Sequence, residues 1–136
     1  MELEAFLRQY YDFAVRYVEF IGPAVEDDDE ALLSLPEDVW GITRKTRRWR
    51  IVHLINTRGL DKKRWDEDHA PPIPINPLSM ELSTSEKIRK VLWVSPDTDD
   101  LSLKPADWRM EGSQLHVIVP YMEIWTTVAI QIEEME

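Results

Sequence analysis

The sequence predicts a mostly β fold, an antiparallel β-sandwich preceded by one N-terminal amphipathic α-helix. Three observations predict it. From residue 38 onward, short runs carry apolar residues at every second position, which is the period of strands. Polar, proline-marked stretches separate these runs, and no helical segment alternates with them, so a parallel sheet is disfavoured. Only residues 2–21 space their apolar positions by three and four.

That first segment sets Leu3, Phe6, Leu7, Tyr10, Ala14, Tyr17, Val18 and Ile21 on one helical stripe, which needs a partner surface because a lone helix of this length is marginal in water. Gly22-Pro23 stops it, since glycine favours a helix end and proline cannot continue one. Glu26-Asp27-Asp28-Asp29-Glu30 follows, read as a solvated acidic linker. A calcium loop is the sharper reading, but the run lacks the alternating Asp-x-Asp-x-Asp-Gly spacing that folds ligands around one ion. The expected division is a helix within 1–24, a linker over 25–37 and a β domain over 38–136.

Val39 to Thr43 is the first expected strand. Trp49 to Asn56 is the second, with Trp49, Ile51, His53 and Ile55 on one face and Arg50, Val52 and Leu54 on the other, both largely apolar in the second half. Apolar residues on both faces make it a central strand. A long polar loop fills 57–72. Ile73 to Ser83 is a strand that Pro74 and Pro77 push toward a sheet edge. Ile88 to Ser95 is the next, followed by a long loop over 96–113. The last strands are Leu115 to Val119 and Tyr121 to Ile132, split by Pro120.

With 136 residues and 43% hydrophobic content, the chain fits one domain with a single core. No apolar run approaches a membrane span. Glu2 and Glu4 replace the positive start of a signal peptide. There is no cysteine, hence no disulfide and no thiolate metal site. The net charge of −10 disfavours nucleic acid as a partner. Residues 1–38 hold 11 acids against 2 bases, and residues 39–66 hold 9 bases against 2 acids. The basic stretch over 44–64, with Trp49 and Trp65, resembles a nucleic-acid surface, but the acidic first third is available to neutralise it.

Little in the chain points to catalysis. The 4 glycines form no phosphate cradle, and no serine lies in a Gly-x-Ser-x-Gly elbow. His53 and His116 lie inside apolar runs and read as hydrogen-bonded core residues. His69, within Asp66-Glu67-Asp68-His69, reads as part of a surface loop. Asp97, Asp99 and Asp100 read as a solvated turn rather than a glycosidase pair, which needs carboxylates about 5–10 Å apart across a cleft. No metal site and no cofactor are expected. Trp40, Trp93 and Trp125, among aliphatic residues, are assigned to the core. Trp49, Trp65 and Trp108, beside charged residues, are the candidate sugar-contact or docking residues, because an indole face stacks on a sugar ring or on a neighbouring domain.

Several stretches together resemble a known family. They are Gln9-Tyr10-Tyr11-Asp12-Phe13-Ala14-Val15-Arg16-Tyr17-Val18-Glu19, then Ile51-Val52-His53-Leu54-Ile55-Asn56 with Gly59-Leu60 and Trp65, then Val91-Leu92-Trp93-Val94-Ser95-Pro96-Asp97. Val119-Pro120 and a stretch containing Trp125 complete the order. This order resembles the C-terminal part of glycoside hydrolase family 66, the dextranases and cycloisomaltooligosaccharide glucanotransferases. The resemblance implies a last barrel-associated helix followed by a Greek-key β-sandwich, with the catalytic Asp and Glu in an upstream barrel that matches no position here. It also implies an extracellular location, although the chain shows no export signal.

The expected function is therefore a non-catalytic accessory, scaffolding domain. The expected partners are a TIM-barrel catalytic domain, or a second copy through the helix stripe. The alternative is an autonomous α-glucan-binding module using Trp49, Trp65 or Trp108. A small enzyme in its own right ranks last, for want of reacting groups.

Overall fold

The computed structural model describes residues 12, 15–17, 26–27, 32–58, 73–96 and 101–133. Among these residues, ten strands make up two antiparallel sheets. The larger sheet runs β1 (Glu26–Asp27), β3 (Val39–Lys45), β4 (Trp49–Asn56), β10 (Trp125–Ile132), β6 (Ile88–Val94) and β7 (Lys104–Pro105). The smaller runs β2 (Leu32–Ser34), β5 (Leu78–Ser83), β9 (Gln114–Val119) and β8 (Asp107–Glu111). The sheets pack as a sandwich, and β10 returns to lie between β4 and β6 in the Greek-key manner. The expected helix falls almost wholly outside the described residues; within it Asp12, Val15 and Arg16 are helical.

Alternation explains the core. On β4, Val52 and Leu54 turn inward, and on β10 Val128, Ile130 and Ile132 do the same. They meet Leu78, Met80 and Leu82 of β5 and Leu115, Val117 and Val119 of β9. Each such side chain contributes about 1.5–3 kcal/mol when fully buried. Part of the opposite face of the larger sheet is also covered. Ile51, Val94 and Ala129 form a second cluster with Tyr17, and Trp49, Leu101, Leu103 and Trp125 pack against it. Strand β4 is thus central, as its two apolar faces require.

Several expectations need correction. The acidic linker is not free of structure, since β1 and β2 arise within it. Leu33 and Leu35 draw this segment in by packing on the main core. They press on the bare backbone of Gly41, where an added Cβ would lie 2.5 Å from Leu33 Cδ2 and 2.7 Å from Leu35 Cδ1. The expected loop over 96–113 contains β7 and β8. The proline-flanked strand begins only at Leu78 and lies between β2 and β9 rather than at an edge. Its edge character survives locally, because β2 pairs only with Glu81 to Ser83. Trp40 is not core: alternation buries Val39 and leaves Trp40 43% exposed on the outer face.

Candidate functional site

On the outer face of the larger sheet, strand register aligns Trp40, Ile55 and Trp125 in one row and Ile42, His53, Thr127 and Val94 in the next. His53 is buried, its Nδ1 lies 2.9 Å from Thr127 Oγ1, and its ring meets Trp125 edge-on at 5.9 Å. It is a hydrogen-bonded core histidine, as its apolar surroundings predict. Tyr17, 5% exposed, seats its ring in this face and donates its hydroxyl to the Leu101 carbonyl. The Arg16 guanidinium lies 5.6 Å from that ring. A segment that precedes the sandwich in sequence is thereby fastened to its larger sheet.

The outer face of the smaller sheet is polar. His116 sits on β9 between Glu81 of β5 and Glu111 of β8, with Nδ1 3.1 Å from Glu81 and Nε2 3.4 Å from Glu111. Arg109 pairs with Glu111 at 3.3 Å. His116 is therefore not the core residue its neighbours suggest, because register places it on the outer face, opposite Glu81 and Arg109. Both glutamates are about half exposed, unlike the apolar pocket that makes a carboxyl a general acid. Asp107, Trp108, Arg109, His116 and Ile118 line a shallow depression of about 130 Å³. Pockets for drug-sized ligands hold about 300–1,000 Å³.

A buried polar knot closes one end of the sandwich. Asn56, 1% exposed, donates through Nδ2 to the carbonyls of Ile73 (2.8 Å) and Glu123 (2.7 Å). Its Oδ1 accepts the Arg58 N–H at 2.9 Å. Thr57 donates to the Asp38 carbonyl, and Arg58 Nε reaches the Asp38 carboxylate at 2.9 Å. Nearby, the Tyr121 hydroxyl donates to Glu123 at 3.1 Å. Partial burial, then this hydrogen bond and the glutamate charge, hold that phenol above its ordinary value of 10.0. The signal for Asn56 is a single polar residue ending an otherwise apolar strand.

Of the sequence candidates, the two tryptophans that the structure describes lie on different sheets. Trp49 is half-buried against the second cluster. Trp108 is 37% exposed on the edge strand of the other sheet, opposite the buried Val117 and so on the core-facing side. Trp65, His69, Asp97, Asp99 and Asp100 lie outside the described residues. The basic segment meets acidic positions: register sets Glu26 opposite Lys45 and Asp27 opposite Arg44, and Arg50 pairs with Glu86 at 2.6 Å. No group of His, Asp and Glu suited to a metal ion occurs among the described residues.

Comparison with known proteins places this architecture. The sequence model of Glycosyl hydrolase family 66 matches residues 1–129. No curated protein matches the chain. Among solved structures, a Paenibacillus sp. cycloisomaltooligosaccharide glucanotransferase complexed with cycloisomaltoheptaose superimposes with a TM-score of 0.82 at 25% identity. That match covers 93% of this chain and 21% of the glucanotransferase. The alpha-L-fucosidase isoenzyme 2 of Paenibacillus thiaminolyticus matches with a TM-score of 0.57 at 17% identity, over 76% of this chain and 15% of the fucosidase. It shares the fold alone.

Proposed function

Because the chain belongs to glycosyl hydrolase family 66, we propose that it is the accessory β-sandwich of such an enzyme, bracing the catalytic part and supplying no reacting group. The observation that carries this reading is the seat of Tyr17. Tyr17, which precedes the sandwich, is anchored on the larger sheet by its buried ring and a hydrogen bond to Leu101, so an upstream unit would be held at a fixed attitude. Share of length agrees with it: the chain spans about a fifth of the glucanotransferase it matches. Among the described residues, the cluster of Glu81, His116 and Glu111 lies across an open sheet face rather than along a cleft.

The test is an assay of the purified chain at high concentration with dextran and with cycloisomaltoheptaose. No new reducing ends and no transfer products are expected; turnover that rises with protein concentration would refute the reading. Sugar docking is the second reading, and it rests on Trp108, half open and lining the shallow depression together with His116 and Ile118. Titration with isomaltooligosaccharides, followed by indole fluorescence in the wild type and in Trp108→Phe, separates the two. A saturable change lost in the variant would establish docking.

A further inference from the structure

We propose that β8 is a self-association edge, at which two copies of this chain pair antiparallel about a two-fold axis through Met110 and join their smaller sheets. Among the described residues β8 has β9 as its only neighbour and ends the sheet, and all five of its residues are exposed. The other outermost strands are short, with two residues in β1, two in β7 and three in β2. Short edges protect themselves; a five-residue edge with open main-chain groups does not.

The hairpin sets which groups are open. Strands β8 and β9 join through Gly112-Ser113 and close on the pair Glu111–Gln114, the hydrogen-bonded pair of a two-residue turn, and the pairs alternate from there. Asp107, Arg109 and Glu111 therefore turn their main-chain groups toward β9, while Trp108 and Met110 turn theirs outward. The side chains of Trp108 and Met110 are each 37% exposed, although their register partners Val117 and Leu115 are buried. The rim of the core is thus left half open where the edge is open.

Three registers bring the outward groups of one β8 against those of another. Centring on Trp108 sets Met110 opposite Ala106, which is buried and already donates its N–H to Val91. It also sets Glu111 opposite Pro105, which has no N–H. Centring on Arg109 sets Arg109 against its own copy and Asp107 against Glu111, so like charges meet throughout. Centring on Met110 sets Arg109 opposite Glu111 of the second copy, twice by symmetry. It lays Trp108 beside the bare backbone of Gly112 and leaves Asp107 facing Ser113. Charge complementarity selects this third register and, with it, a second copy as the occupant. The contact is small against the roughly 1,200–2,000 Å² of stable complexes, so the dimer is weak.

Sedimentation velocity from about 10 μM to about 1 mM, the span in which a weak pair forms, tests this in moderate salt. The wild type and Arg109→Lys are expected to shift toward a dimer as concentration rises. Arg109→Glu and Glu111→Arg each place like charges in register and are expected to stay monomeric. Mixed in equal amounts, these two variants are expected to pair with one another, since each then meets the opposite charge. Near-ultraviolet circular dichroism confirms that both are folded before mixing. A monomeric wild type at every concentration, a dimer that survives either charge reversal, or folded variants that stay apart on mixing would overturn the proposal.

Discussion

The Asn56 knot should be the most costly single polar site to disturb. Asn56→Asp preserves shape but replaces the amide, which donates to two carbonyls at 2.7 and 2.8 Å, with an oxygen that cannot donate when ionised. Two hydrogen bonds are lost and two acceptors face a negative charge in a site 1% exposed. A buried polar group left unsatisfied costs about 1–3 kcal/mol. Because those bonds are only partly buried, the lower half of that range applies to each, giving a loss of about 3 kcal/mol at neutral pH. For a chain this long, that corresponds to a fall in Tm of about 10 °C. Asn56→Ala frees the same carbonyls and also the Arg58 N–H, but it buries no charge, so it should cost less. Desolvation and the two carbonyls raise the pKa of the introduced carboxyl in the folded state. The penalty should therefore shrink as the pH falls and the carboxyl regains a proton to donate. Urea unfolding followed by tryptophan fluorescence at pH 7 and pH 5 measures both effects. A loss below about 1 kcal/mol, or an Asp variant no worse than Ala at pH 7, would refute the reasoning.

Three further outcomes follow from single positions. Gly112 has φ +60° and an added Cβ would meet no atom within 4 Å, so Gly112→Ala should cost only the backbone strain of about 1–3 kcal/mol; equal urea midpoints for Ala and wild type would contradict this. Thr126 is fully buried and its Oγ1 has no hydrogen-bond partner among the described residues. Thr126→Val should therefore raise stability by about 1 kcal/mol, seen as a higher urea midpoint at unchanged m; a lower midpoint would count against it. For Tyr121, the phenolate is the disfavoured form, so its contribution to stability is present below pH 10.0 and is lost as pH rises through the raised folded value. Glu123→Gln should bring the titration of the Tyr121 ring, followed by its carbon NMR shift, back toward 10.0; no movement would rule out the glutamate as a cause.

The strands that alternation can reveal are those that contribute to a core. Strand β4 was legible from Trp49 to Asn56 because its two apolar faces meet two separate clusters. Strand β8 was not, because Asp107-Trp108-Arg109-Met110-Glu111 is exposed throughout and its charges resemble a loop. Its turn was the available signal: Gly112-Ser113 between two alternating stretches is a two-residue hairpin with glycine first. Strand β2 was hidden for a different reason. Only Leu33 and Leu35 of that segment contribute to the core, and the acidic run before them dominates the composition. Alternation also leaves the sign of a face open. Val39-Trp40 and His116-Val117 each set one residue in and one out, and hydrophobicity alone chose wrongly for Trp40 and His116.

The same ambiguity explains why Trp49 and Trp108, each beside charges, lie on different sheets and share no site among the described residues. A charged neighbour in sequence is, on a strand, a neighbour on the opposite face. Arg50 beside Trp49 points away from it, and Arg109 beside Trp108 lies with His116 on the outer face while Trp108 follows Val117 toward the core. Flanking charge therefore marks where a strand is solvated on its other side, and gives no indication that the indole is presented to a ligand. For the bracing role proposed above, the informative feature is burial that crosses elements. Tyr17 is held against Ile51, Val94 and Ala129, three residues from three adjacent strands of the larger sheet. Such a contact would couple the segment carrying Tyr17 to the middle of the sheet, the connection that the proposed brace requires.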